Sequence, residues 1–467
     1  MKIFKRVSAV LLLAGMLAVM LSGCAYQNVT FGDWTDNELY QDIPAMYYEG
    51  VRIGEVEDYG DGYYVLTVSG TSLENYQDYL KLLKKKKFEK YYDNGEDGIN
   101  GTVYTATYTK DNLSLTVTHM VNLHKTYFSV KEDATFSPHL FKENASTEGN
   151  KPGAKTTIHM LQVTGNAYVI QLKNGHFICS DTGNQEYMQK NIEYMESLVP
   201  EGEIPVVEAW FFSHDHSDHT AGLKEFMKDP TLKNRIIVES VYFSELCDET
   251  AAQLYGGSTE VGVVSSYTAA LRNSEGEVPP LYRPHAGERL YFNDIIIEIP
   301  YTQEQVPFME YEGDINGSSL WMKFYIDGQT FLLNGDTERN NVNGAAAMYD
   351  QDYFNVDIMA VFHHGHNIHA GTETYFQAET LLYPNWGLFN NRWGDLAINA
   401  NNIMMGDAKE AVSILYGTVV LEMPYTLGSY KVLDTWYPDE TQTYVDTITV
   451  EYEKFHGTTD GLEDVLK

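Results

Sequence analysis

Cysteine is scarce in this sequence, bases are few beside acids, and only one long apolar run exists. Three cysteines in 467 residues, Cys24, Cys179 and Cys247, are too few for a disulfide-stapled scaffold or a Cys-rich zinc module. Cys179 lies in the apolar stretch 176–181 and is expected to be a buried thiol. Lysine and arginine total 32 against 66 acids, a net charge of −34. A polyanion of that size repels phosphate backbones and anionic surfaces unless it carries a local positive site, which counts against a general nucleic-acid-binding role. Beyond the first two dozen residues no stretch approaches the roughly 20 apolar residues that cross a bilayer. Charged residues at 21% and hydrophobic residues at 43% exclude bulk disorder. The length suggests two to four domains at roughly 100–200 residues each.

The one apolar run opens the chain. Lys2, Lys5 and Arg6 precede apolar residues over 10–21, followed by small residues. That is the pattern of a secretory signal, and it is too short for a comfortable span. Leu21-Ser22-Gly23-Cys24 resembles a bacterial lipobox. The resemblance implies that residues 1–23 are removed and that Cys24 is lipidated. The body would then be anchored on the extracellular face of the cell membrane without a transmembrane helix. Loss of the leader leaves 29 bases against 66 acids, a net of −37.

Residues 24–142 read as a small α+β domain. A strand-like alternation over 62–68 is followed by a helix signature, with Thr71 and Glu74 spaced as a capping box and Leu73, Tyr76, Leu80 and Leu83 at three- and four-residue spacing. Strand-like stretches follow at 101–109, 113–121 and 126–130. The run Lys84 to Lys87 fits a helix C-terminus, where cations complement the macrodipole, better than a nucleic-acid patch. Polar residues 143–155, with Gly and Pro, read as a linker. From 156 to 467 short apolar runs alternate with helix-like patterns, the texture of an α/β layered domain. Within it, 443–450 alternates like a strand that would complete a sheet edge.

The chemistry gathers at three places. The apolar run 204–212 ends in Ser213, then His214-Asp215-His216-Ser217-Asp218-His219. Imidazole and carboxylate are ligands for zinc and its first-row neighbours. His214 and His216, two apart, point to one side of an extended backbone, while Asp218 and His219 fall on the turn into a helix and can face a second ion. Asp336 ends the apolar run 331–335, where a carboxylate could bridge two ions. His363 and His364 follow the apolar run 358–362 and precede Gly365.

Taken in order, these motifs resemble the metallo-β-lactamase fold superfamily, most closely its ComEC-type branch. The likeness covers about 155–425 and includes Asp181-Thr182-Gly183, the HxHxDH loop, Asn316 to Leu320 leading into Gly335-Asp336, and His363-His364-Gly365. It implies an αββα sandwich with metals at one edge of two packed sheets. It implies that His214 and His216 hold one ion, that Asp218, His219 and His364 hold the second, and that Asp336 bridges. Either histidine of the 363–364 pair could coordinate. His364 is favoured, leaving His363 to substrate or proton handling, with Asp218 the other candidate catalytic residue. Asp181 matches a residue that supports the metal loop. Many members add a third histidine to the first ion. His285 is the candidate here, although its context fits a surface loop better. His366 and His369 could line the pocket.

The expected function is a surface-anchored hydrolase with two divalent ions, zinc or alternatively manganese. A metal-activated water would attack a phosphoester or phosphodiester. The ions would place about +4 where the substrate anion sits, so the acidic balance admits a small anionic or zwitterionic substrate such as a phosphocholine headgroup. An extracellular nuclease for long polymers is disfavoured, because Arg283, Arg289, Arg339 and Arg392 are scattered in sequence. The remaining alternative is a non-catalytic, lipid-anchored binding protein on a degenerate hydrolase fold.

Overall fold

The computed structural model describes residues 34, 38–59, 62–244, 278–308, 315–337, 339–365, 375–384, 407–433 and 435–459. The leader with Cys24, and Cys247, His366, His369 and Arg392, lie outside them. Among the described residues the chain is a mixed α/β structure with three sheets.

The first sheet is built from β1 (Arg52–Asp58), β2 (Tyr63–Ser69), β3 (Glu89–Asp93), β4 (Val103–Lys110), β5 (Leu113–Met120) and β6 (Lys125–Glu132). It is antiparallel throughout, in the order β1-β2-β6-β5-β4-β3. Because successive side chains alternate, its two faces differ in chemistry. One carries Leu66, Ala106, Leu115, Val117, Phe128 and Val130 and packs on Tyr76, Tyr79 and Leu83 of helix α1 (Leu73–Lys85). The other carries Thr105, Thr107, Thr116, Thr118 and Ser129, all buried. The capping box of α1 lies one residue later than the spacing suggested. Ser72 Oγ accepts from Asn75 N at 3.2 Å and Ser72 N donates to Asn75 Oδ1 at 3.0 Å. Thr71 instead accepts from the Thr126 hydroxyl at 2.8 Å inside the core. The helix ends within the lysine run, with Lys86 as its C-cap.

The second sheet begins with β7 (Thr157–Met160), β8 (Tyr168–Gln171), β9 (Phe177–Ser180), β10 (Val206–Phe212), β11 (Ile237–Val238), β12 (Val241–Phe243) and β13 (Leu281–Tyr282). The third comprises β14 (Arg289–Phe292), β15 (Ile295–Glu298), β16 (Met322–Ile326), β17 (Gln329–Leu333), β18 (Asn355–Ala360), β19 (Gln377–Tyr383) and β20 (Glu410–Ser413). The chain then returns to the second sheet through β21 (Val419–Glu422) and β22 (Lys431–Val432). One apolar core lies between these two sheets, joining Ile158, Ile170 and Phe211 to Ile297, Phe324 and Phe331. Helices α2 (Met188–Ser197) and α3 (Ser217–Lys228) cover the outer face of the second sheet. Helix α4 (Arg339–Ala346) covers the third sheet, in a core it shares with Tyr63, Val65 and Tyr127 of the first.

The stretch 443–450 is not a strand. It lies in helix α5 (Pro438–His456), started by Pro438 in the first turn and stopped by Gly457 at φ 72°. The side chains of 441, 445 and 449 are buried or half-buried, a spacing of four, and the Thr443 and Thr449 hydroxyls donate to carbonyls four residues back. Period-two apolarity over eight residues concealed the helical repeat. Cys179 is a buried free thiol, its Sγ 3.8 Å from Met195 Sδ. No helix among the described residues is long and apolar enough to cross a membrane.

The turn before β14 seats the first sheet on the rest. Thr105 Oγ1 donates to Ala286 O at 2.6 Å, Asn94 Nδ2 to Gly287 O at 3.0 Å, and the Arg289 guanidinium to Asn94 O and Gly98 O at 3.1 and 2.8 Å. Gly287 is required there, because it sits at φ +93° and a Cβ would meet Thr105 Oγ1 at 2.1 Å. Glu288 is buried in the same turn and accepts from His285 N at 3.0 Å. Burial pushes its carboxyl up to about 8. An unfolded Glu loses its proton near pH ~4.3, so Glu288 contributes stability fully below that value and loses it as pH rises through 8. Glu288→Gln mimics the protonated form. In thermal melts its stability relative to wild type should be higher at pH 9 than at pH 5; an equal difference at both would contradict the shift.

Candidate metal centre

Parallel pairing explains why distant residues meet. β9, β10 and β12 run parallel, as do β17, β18 and β19. Their C-terminal ends therefore lie along common edges, where open α/β sheets place ligand sites. Asp181 follows β9, His214 follows β10, Asp336 follows β17, and His363 and His364 follow β18.

After β10 the backbone stays extended through His216, which is the N-cap residue of α3 (φ −68°, ψ 147°). Asp218 and His219 occupy the first helical turn. His214 Nε2 and His216 Nδ1 come within 2.9 Å of each other. His219 Nε2 lies 3.2 Å from Asp336 Oδ2 and 3.9 Å from Asp218 Oδ2. His364 Nε2 lies 3.1 Å from Asp336 Oδ2 and 3.5 Å from Asp218 Oδ2. Two groups of ligand atoms result, Asp218-His219-Asp336-His364 and His214-His216-Asp336, each within 4.8 Å. Asp336 is common to both.

The turn 181–183 holds the loop from below. Asp181 Oδ1 accepts from Ser213 N, and its Oδ2 accepts from Ser213 Oγ and His219 Nδ1, each at 2.8 Å. Fixing the proton on Nδ1 turns Nε2 of His219 toward Asp336. Thr182 N and Oγ1 both donate to His219 O, at 2.7 and 2.8 Å. Gly165 closes the same region. It sits at φ +89°, and a Cβ there would lie 1.8 Å from Asp218 O. Two serines complete the support. Ser319 Oγ accepts from Asp336 N at 3.0 Å and lies 3.3 Å from His214 Nδ1, while Ser213 Oγ lies 3.1 Å from the same nitrogen. No spacing in the sequence assigned a role to either serine, because Ser213 acts on the neighbouring strand end and Ser319 acts across sheets.

His363 and His364 adopt left-handed backbone angles, φ 44° and 53°. For non-glycine residues that conformation costs on the order of 1–2 kcal/mol each. It is held by His363 N donating to Gly335 O at 3.1 Å and by His364 Nδ1 donating to Pro384 O at 3.1 Å. The two side chains thereby separate. His364 Nε2 enters the first group, while His363 Nε2 stays 3.6 Å from Asp336 Oδ2 with a side chain 16% exposed.

The charges are mutually dependent. Burial opposes ionisation of Asp336 and Asp218, but His219 and His364 beside them hold both carboxyls well below the usual range. Burial likewise opposes charge on His364, yet Asp336 and Asp218 raise it to about 9. Burial keeps His214 neutral, reinforced by His219 and His216. The buried Nε2 of His219 and Oδ1 of Asp336 make no hydrogen bond among the described residues. Converging carboxylates and imidazoles with such unsatisfied atoms fit a divalent cation, which would replace the histidine protons as the compensating charge.

His285 belongs to neither group. It is not a surface-loop residue either. Its side chain is 14% exposed, and its Nδ1 lies 2.7 Å from buried Glu304 Oε1, nineteen residues on. Burial, with Arg283 nearby, lowers its pKa to about 3. Of Arg283, Arg289, Arg339 and Arg392, the first two have described side chains, and neither joins the ligand groups. Arg289 pairs with Glu298 at 2.9 Å, and Arg283 stacks over the Tyr63 ring at 4.2 Å.

No family model and no curated protein matches the chain. Among solved structures, a protein of unknown function from Enterococcus faecalis V583 aligns over 44% of this chain and 50% of its own, at 13% identity and a TM-score of 0.27. A Thermotoga maritima protein described as a zinc-dependent hydrolase of the metallo-β-lactamase superfamily aligns over 49% of this chain and 74% of its own, at 10% identity and a TM-score of 0.21. Likenesses at that level are too slight to show a shared fold.

Asp181→Asn keeps the side-chain shape but loses the carboxylate that orients His219. Zinc affinity, measured by chelator competition on the folded chain, should fall about 10–100-fold; unchanged affinity would contradict the orienting role.

Proposed function

We propose that the chain is a metal-dependent hydrolase of the metallo-β-lactamase type, acting on a small phosphoester or phosphodiester. The observation that carries the proposal is that Asp336 belongs to both ligand groups. A shared carboxylate suits two ions close together. Helix, sheet, sheet and helix layers around the site, with the ligands at one edge, support the αββα reading. In this reading His214 and His216 would hold one ion and Asp218, His219 and His364 the other, with Asp336 available to both. Nitrogen and oxygen donors without thiolate suit zinc, with manganese the alternative.

Two divalent ions so held would supply Lewis-acid polarisation of the phosphoryl oxygens and acidify a water toward neutral pH. The protein does the rest. Asp218, with a side chain 32% exposed, is the more open of the two carboxylates and can accept a proton from the attacking water. His363, partly exposed and beside Asp336, can deliver a proton to the leaving oxygen. Two divalent ions less the charges of Asp218 and Asp336 leave a local charge of about +2, which in a chain of net −34 favours a small anion or zwitterion over a long nucleic acid.

The zinc-loaded full chain should hydrolyse bis(p-nitrophenyl) phosphate, and His216→Ala should lower kcat/KM by on the order of 100-fold or more. A metal-loaded chain inert on phosphodiesters, phosphomonoesters, lactones and thioesters would overturn the proposal. We propose further that Cys24 tethers this hydrolase to the outer face of the cell membrane. Cys24→Ser should release the protein from the membrane fraction; retention there would refute the lipid anchor.

A further inference from the structure

A second cavity of about 300 Å³ lies between the first sheet and the turn that seats it. No residue of either ligand group lines it. Its floor is a row of hydroxyls across three neighbouring strands. Thr107 on β4 faces Thr116 on β5, which faces Ser129 on β6. The Thr107 and Thr116 hydroxyls are 2.9 Å apart. Each hydroxyl has one donor and two acceptor sites, so this row keeps hydrogen-bonding capacity that its neighbours spend. The adjacent row, Thr105 and Thr118, is already bonded to Ala286 O at 2.6 and 3.5 Å.

The facing wall is different. Tyr282 lines it, with the Tyr242 ring 5.3 Å behind, buried and stacked on Phe211. Lys131 and Arg283 bring two positive charges, and Asp133 one negative charge at the exposed rim. Arg283 is held in place over Tyr63. Glu288 adds a buried carboxyl, which burial pushes up to about 8. Two bases thus stand against one rim carboxylate and that buried carboxyl, in a chain of net −34.

We propose that this cavity binds a monosaccharide carrying an anionic group, a phosphate or a carboxylate. A row of hydroxyls matches a ligand rich in hydroxyls. The Tyr282 ring matches the C–H face of a pyranose, and Lys131 with Arg283 match the anion. The volume lies at the small end of ligand pockets, about 300–1,000 Å³. The site is separate from the metal centre, and the inference stands independently of the hydrolase reading.

Calorimetric titration of the full chain, metal-loaded and chelator-treated, with glucose 6-phosphate, glucuronate, glucose and inorganic phosphate tests it. At least one anionic sugar should bind with Kd below about 1 mM in both metal states, with glucose and inorganic phosphate at least about tenfold weaker. Arg283→Gln and Thr116→Val should each weaken that binding about tenfold without loss of the thermal transition. The proposal is overturned if neither anionic sugar binds, if binding requires the metal, if phosphate alone binds as tightly, or if both variants bind as wild type does.

Discussion

One buried carboxylate governs the centre of this protein. Asp336 is 1% exposed, and its Oδ2 lies within 3.2 Å of both His219 Nε2 and His364 Nε2. An unpaired carboxylate at that depth would be protonated or would destabilise the fold by several kcal/mol. His219 and His364 beside it favour its ionised form, and it in turn favours their charged forms. The arrangement is tolerable without a cation only while imidazoles carry protons. Each of those nitrogens is also a metal ligand once the proton leaves, so compensation by proton and compensation by metal compete for the same atoms.

The fold makes this juxtaposition possible by running strands of two facing sheets in parallel. Residues at 181, 214, 336 and 364 are far apart in sequence but each lies a few residues beyond a strand end. Supporting groups then fix their orientation. Asp181 sets His219, Pro384 O sets His364, and Ser319 reaches from Asp336 N toward His214. The left-handed backbone of His363 and His364 is consistent with strain retained where one histidine must point inward and its neighbour must not.

Much of the candidate cluster was legible because it is local. The 214–219 spacing places two side chains on an extended segment and two on a helical turn, and no tertiary information is needed to see that. The choice between His363 and His364 was not local, since it depends on a carbonyl twenty residues on. His285 was misread for the same reason: its partner Glu304 comes from another part of the chain, and nothing around 285 signals burial. Helix α5 was missed because Thr, Val and Ile alternate in it and strand propensity outweighed the four-residue spacing of 441, 445 and 449. The hydroxyl face of the first sheet was present in the sequence as threonines at alternate positions. Only strand register shows that Thr107, Thr116 and Ser129 form one row.

The central claim is that two cations share Asp336. A zinc-edge anomalous difference map from crystals of the zinc-loaded chain tests it most directly. The account predicts two peaks about 3.5–4 Å apart, one beside His214 and His216 and the other beside Asp218, His219 and His364. No peak at Asp336, or zinc bound only elsewhere, would contradict it.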